Sequence, residues 1–317
     1  MTDQVIKDHL IPEKLKSGDR VRFVSPASSV PKGGLDGGAK ILENLGLKVE
    51  YGKHVYDVHN TLDYLAGKDE DRLADINEAL RDPGIKAIIA TRGGKGAYRI
   101  ADGLDFEAAR KNPKLLIGFS EITILHMALL KHGVTGGIHG APWSESFGKE
   151  TAKSFVHAVT STEPITVRST PEESTYVLTT HGRAEGMLIG GNQDSIATGA
   201  GWALPSFDKA ILLIEAVNLR LGHIDRQLTM LINTGIIKNI VGIAIGQYTD
   251  CGNATDPTGN SSCTEIDILR ERFAKLGVPI LGGLPIGHDK NPIAVPIGTN
   301  AVLDSDAGTL TVDAGVR

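Results

Sequence analysis

Three short segments put a hydroxyl, a carboxyl and an imidazole where each could do chemistry. In GFSEI, Ser120 ends an apolar run and opens a helix-like pattern. In ILLIEAVN, Glu215 is an acid inside an otherwise apolar run, and in LPIGHDKNPIAVPIG, His288 lies in a loop rich in Gly and Pro. A serine nucleophile needs a base to take its proton and a third group to orient that base, and these residue types supply all three. Each also has a plain structural reading. Ser120 suits an N-cap, Glu215 a buried ion pair, and His288 a satisfied loop histidine. GFSEI is not the G-x-S-x-G elbow of α/β-hydrolases, because Ile122 stands at the second glycine. The order strand, Ser, helix nevertheless exposes a nucleophile, and the Glu121 N–H at the helix start is a natural oxyanion donor.

RGGKG (Arg92 to Gly96) follows a predicted strand and precedes a helix, where backbone N–H groups can converge on an anion. Its spacing fits neither a P-loop nor G-x-G-x-x-G, and a tight structural turn is the alternative reading. His126, His139, His223 and Asp225 show no metal-ligand spacing, so no metal and no cofactor is expected.

The elements that must position these groups follow from the alternation of apolar and amphipathic segments. RVRFV, LKVEY, IKAIIA and KLLIGF read as strands, with helices over AKILENLG and DRLADINEALRD between them. Strands alternating with helices imply a mostly parallel sheet covered on both faces. The polar stretch Val167 to Gly186 breaks this rhythm and is a candidate linker (167–186) between an N-terminal domain (1–166) and a C-terminal one (187–317). In the second part ILLIEAV and IVGIAIGQ read as buried strands, HIDRQLTMLINTG as a helix, and NAVLDSDAGTLTVD as a hairpin.

The chain has 317 residues, 41% hydrophobic and 22% charged, which fits a soluble globular protein of one large or two ordinary domains. A formal charge of −5 argues against a large nucleic-acid surface. Two cysteines, Cys251 and Cys263, do not describe a disulfide-stapled scaffold, and two ordinary thiols are expected. With no signal-peptide core and no apolar run of about 20 residues, a cytoplasmic protein away from membranes is expected.

In order along the chain, VSPAS, YLAGKDEDRLADIN, ATRGGKGAYRI, IGFSEITILHMAL, MLIGGNQ, LLIEAVN, HIDRQL and LPIGHDKNPIAVPIG resemble the LD-carboxypeptidase family of serine peptidases, which also holds the microcin C self-immunity proteins. The resemblance implies Ser120 as nucleophile, Glu215 as the acid and His288 as the base. It implies an α/β fold: an N-terminal parallel-sheet domain bearing the serine, a C-terminal β-rich α/β domain supplying Glu and His, and a site between them, usually in a homodimer. The Glu121 N–H, with one from Gly93 or Gly94, would hold the oxyanion.

The implied substrate is the peptidoglycan tetrapeptide stem, cut before its terminal D-Ala. The alternatives are a self-immunity amidase acting on a peptidyl- or aminoacyl-nucleotide, and a non-catalytic binding protein of the same fold. Four departures from the family pattern bear on substrate. Glu121 replaces the usual Asp, Lys95 a common Tyr, GGNQ stands for GGNL at Asn192 and Gln193, and HGAPW replaces H-G-P. Lys95, Asn192 and Trp143 are the candidate substrate contacts, and Trp202 is a further aromatic that could stack on a base.

Overall fold

The chain alternates strand and helix through its first half: β1 (Arg20–Val24), α1 (Asp36–Asn44), β2 (Lys48–Tyr51), α2 (Asp69–Arg81), β3 (Ile85–Ala90), α3 (Phe106–Lys111), β4 (Leu115–Gly118), α4 (Thr123–Lys131), β5 (Gly137–His139) and α5 (Lys149–Thr160). The second half follows with β6 (Ile165–Arg168), β7 (Arg183–Asn192), α6 (Gln193–Gly199), β8 (Ile211–Val217), α7 (Leu221–Asn233), β9 (Gly242–Thr249), α8 (Glu265–Ala274), β10 (Ile280–Leu281), β11 (Val295–Ile297), β12 (Asn300–Asp304) and β13 (Thr309–Val312). This is a computed structural model, and it describes residues 10–141, 148–252 and 263–317.

Two sheets result. The first has the order β11-β5-β4-β3-β1-β2, with β1 to β5 parallel and β11 antiparallel to β5. The second has the order β10-β9-β8-β7-β12-β13-β6, parallel from β10 to β7 and antiparallel beyond. The fold is therefore the mixed α/β architecture in two domains that the strand–helix alternation implied. Its chemistry explains the run IKAIIA in β3, where Ile85 and Ala87 to Ala90 are buried. Helices cover both faces of a parallel sheet, so its strands are apolar without alternation. At α2 the acidic first turn (Asp69, Glu70, Asp71) and Arg81 in the last turn both oppose the helix dipole.

The stretch 167–186, expected as a linker, carries structure of its own. It holds the end of β6, a 3-10 turn at Ser174–Leu178 and the first residues of β7, so both its ends lie in the second sheet. The C-terminal hairpin is β12 paired with β13.

Helix α4 joins the two halves. Thr123 to Leu130 are all buried, and a helix apolar on every side belongs inside a protein. Its Ile124, Leu125, Ala128 and Leu129 enter a core under the first sheet, while Met127 and Leu130 enter the core of the second. Ser120 stands just ahead of this buried helix, between the two sheets.

Candidate active site

In open α/β sheets, ligands bind beyond the carboxyl ends of the strands. Here the carboxyl ends of both parallel sets meet. Gly93 to Gly96 follow β3, Ser120 follows β4, His139 ends β5, Asn192 ends β7, and Glu215 sits near the end of β8. A cleft of about 320 Å³ at these strand ends is lined by Gly94, Lys95, Ser120, Glu121, Asn192 and Asp194 among others.

Ser120 does not act as an N-cap. Phe119 precedes the 3-10 turn Ser120–Ile122, and neither that turn nor α4 has a side-chain cap. Ser120 is instead in the left-handed region at φ 61°. An L-residue there costs on the order of 1–3 kcal/mol, and such strain clusters where a side chain must be aimed. The same conformation presents the serine of the hydrolase elbow, here without the second glycine. Closeness of the facing loop explains Gly93: a Cβ built there would lie 2.7 Å from Ser120 Cβ and 3.1 Å from the Glu121 nitrogen.

The glycine turn is tied down on two sides. Ser28 donates its N–H to Gly93 O (3.3 Å), and its hydroxyl accepts from the Lys95 N–H (3.0 Å). The Glu121 carboxylate, 7% exposed, accepts from the N–H groups of Gly96 and Ala97 at 3.0 Å each. Burial pushes the Glu121 carboxyl above its ordinary value despite those two donors. The bonds that hold the turn thus leave out the amides of Gly93 and Gly94, the expected oxyanion donors. The Glu121 side chain thus clamps the RGGKG loop.

Lys95 is not a free cation beside the oxyanion region. Its Nζ pairs with Asp194 Oδ2 at 2.8 Å, across from the first domain to the start of α6. Asp194 Oδ1 accepts from Gln227, which accepts from Gln193 (2.9 Å), and Gln193 in turn accepts from Tyr248 Oη (2.7 Å). Gln193 is therefore a buried link in a polar chain. Asn192 caps α6 by accepting from the Ser195 N–H, and donates its own N–H to Thr123 Oγ1 (3.0 Å). Trp143 lies outside the described residues. Trp202 is 38% exposed, with its indole N–H donated to Thr198 O.

Glu215 and His288 meet directly. Nδ1 of His288 lies 2.7 Å from Oε2 of Glu215, whose side chain has no exposed surface. Desolvation pushes the carboxyl up, but His288, His139 and Asn192 more than offset it, so Glu215 sits below its ordinary value and is ionised at neutral pH. The approach depends on local backbone. β8 pairs irregularly with β9 at Glu215, between Ile214 and Ala216. Gly287, at φ 146°, leaves only 3.2 Å between a built Cβ and Glu215 Oε2. The His288 ring packs on Phe119 (centroids 4.8 Å apart), the residue before Ser120. The Glu215–His288 pair thus packs, through Phe119, against the residue that precedes Ser120.

Sequence reasoning missed the residues that hold the histidine loop. Gln247 donates its N–H to Ile286 O (2.8 Å), and its side chain accepts from the Asp289 N–H (2.9 Å) while donating to Glu173 (2.8 Å). Nothing in spacing marks a glutamine forty residues upstream.

As for metals, the one trio of ligand types among the described residues is His54, Asp57 and Asp71, within 4.8 Å of one another. Its imidazole already faces Asp57 (2.7 Å) through Nδ1 and Asp71 (3.7 Å) through Nε2. Asp225, screened as a ligand, pairs with Arg272 at 2.5 Å. Of the two cysteines, Cys251 is buried and Cys263 exposed. No helix among the described residues is long and apolar enough to cross a membrane.

The site thus combines a serine in a left-handed turn on the cleft wall with a buried Glu–His contact that reaches it through Phe119. The chain belongs to the LD-carboxypeptidase family of peptidases: residues 21–140 match its N-terminal domain and residues 185–303 its C-terminal domain. It is 35% identical over 306 residues to a putative carboxypeptidase of Streptomyces coelicolor, covering 95% of this chain and 96% of that one. It is 34% identical over 311 residues to a probable murein peptide carboxypeptidase of Bacillus subtilis (96% and 95%). In fold it is like the microcin C7 self-immunity protein MccF solved with aspartyl sulfamoyl adenosine, with TM-score 0.84 and 22% identity over 97% of this chain and 100% of that one.

Proposed function

We propose that the chain is a serine LD-carboxypeptidase that removes the terminal D-Ala of a murein tetrapeptide through an acyl-enzyme on Ser120. The observation that carries this reading is the buried Glu215–His288 contact at 2.7 Å, with the His288 ring tilted against Phe119, the residue before the strained serine. His288 takes the Ser120 proton as Oγ attacks the scissile carbonyl carbon. Glu215 holds the tautomer that leaves Nε2 free to accept, and stabilises the imidazolium. The N–H groups of Glu121 and of Gly93 or Gly94 receive the oxyanion. The C–N bond then breaks as His288 returns its proton to the leaving amine. Water, activated by the same imidazole, releases the shortened peptide and restores Ser120.

The name of the Bacillus subtilis relative supports the murein substrate, and Lys95 and Asp194 on the cleft wall supply charged groups for a peptide that carries its own. The test offers the purified protein a muropeptide tetrapeptide and a peptidyl-adenylate, with products read by mass spectrometry. Release of D-Ala, lost by about 10⁴-fold or more in Ser120→Ala, is the expected result. Cleavage of the adenylate alone would replace the substrate and keep the mechanism. Undiminished turnover by Ser120→Ala would end the mechanism as well.

A further inference from the structure

His139 ends β5 and is 1% exposed, and neither of its ring nitrogens has a hydrogen bond among the described residues. The same holds for one atom of the Glu–His pair, Glu215 Oε1. These unsatisfied groups face each other, with His139 Nε2 3.8 Å from Glu215 Oε1. A buried carboxylate with only one oxygen served is costly, and a buried imidazole N–H without an acceptor is costly too. One contact removes both penalties.

The tautomer follows from the surroundings. Burial holds the His139 imidazole at a pKa of about 4, so the ring is neutral and carries one proton. A proton on Nδ1 would turn the Nε2 lone pair toward the lone pairs of Oε1. It would also leave the N–H against Gly191, where a built Cβ would sit 2.9 Å from Nδ1. A proton on Nε2 gives the carboxylate a donor.

We infer that His139 is a positioning residue for the triad: its Nε2–H donates to Glu215 Oε1 as the site closes on substrate, fixing the carboxylate so that Oε2 stays on His288 Nδ1. The inference rests on the Ser120–Glu215–His288 reading. The movement required is roughly 1 Å, within what catalytic hydrogen bonds contract between free enzyme and complex.

The groups facing this contact are His288 from the loop after β10, Asn192 from β7, His126 from α4, and Tyr248 and Cys251 from β9 and its end. Burial holds His126 down at about 3, moves Cys251 up to about 11 and raises Tyr248 further above its ordinary value. None of those three changes charge between pH 5 and 8. An acid-limb shift is therefore read at the Glu215–His288 pair.

The experiment compares His139→Leu with His139→Gln, which keeps an N–H donor. Leucine is expected to lower kcat about 10- to 100-fold with KM nearly unchanged. It should also move the acid limb of kcat to higher pH, because Glu215 loses a group that holds its carboxyl down. Glutamine should restore most of the rate. Equal losses in both variants with an unmoved acid limb, or no loss in leucine, would overturn the inference. Nitrogen-15 NMR of the wild-type histidines does not depend on either variant folding: a proton on His139 Nε2 is expected, and one on Nδ1 refutes it. Ser120→Ala and Glu215→Gln run alongside. If they retain turnover, the triad reading fails. If they are inactive while His139→Leu is unimpaired, the inference about His139 alone fails.

Discussion

Lys95 Nζ lies 2.8 Å from Asp194 Oδ2, so one ion pair spans the mouth of the cleft from the glycine turn of the first domain to the first turn of α6 in the second. The lysine side chain is 58% exposed and the aspartate 33%, so screening leaves the pair little weight in stability. Its weight falls on what enters the cleft.

The two partners should therefore move KM in opposite directions. For a substrate with a free carboxylate, Lys95→Ala leaves Asp194 to repel it and raises KM several-fold. Asp194→Asn releases the ammonium and lowers KM. Changes in kcat and in melting temperature should be small for both, and added salt should shrink the difference. Steady-state kinetics at two ionic strengths decide the matter, and shifts of the same sign would refute the role.

Gly93→Ala should preserve the fold and impair the chemistry. The added Cβ meets Ser120 Cβ at 2.7 Å, so the serine or the turn must shift. A misplacement of about 1 Å costs on the order of 10²-fold in rate. Turnover should fall by about that much, while far-UV circular dichroism stays unchanged. A fully active alanine variant would show that the turn and the serine do not share one reaction space.

Two buried histidines should make the fold sensitive to mild acid. His126 donates its Nε2–H to Leu116 O at 2.9 Å, and burial lowers His126 to about 3 and His139 to about 4. The unfolded chain binds protons at both from about pH 6.5 downward, while the folded chain does not. Stability is thus full above that pH and is lost as the pH falls toward 4. The slope is about 1.4 kcal/mol per pH unit for each histidine once the unfolded imidazoles are protonated. Glu215, held below its ordinary value, adds a loss only at lower pH. Urea midpoints that stay flat between pH 7 and 5 would contradict this.

Much of the scaffold was legible because its strands are buried on both faces. ILLIEAV is β8 from end to end, and IKAIIA is β3. Residue type alone could not separate the two readings of Ser120, because a cap and a strained turn both favour a small hydroxyl residue, and φ is not written in residue type. β6 was hidden in a polar stretch because it is a partly exposed edge strand, with only Val167 buried. Asp194, Gln247 and Glu173 were invisible because they act through side-chain contacts between distant segments. Glu215 and His288 stood out because an acid in an apolar run and a histidine in a glycine loop both need explaining.

β11 belongs by topology to the first sheet, although it begins only seven residues after His288. Val295 pairs with His139 and Ile297 with Gly137, closing the edge of β5. During synthesis on the ribosome, Ser120 and the glycine turn emerge long before that edge is covered. Until residue 297 has been made, β5 presents open backbone groups to any passing strand. The strand that seals this edge is drawn in directly behind the loop that carries His288. Protection against mispairing and delivery of the His288 loop thus coincide in time, and a chain that stops short of them carries Ser120 and the glycine turn beside an open sheet edge.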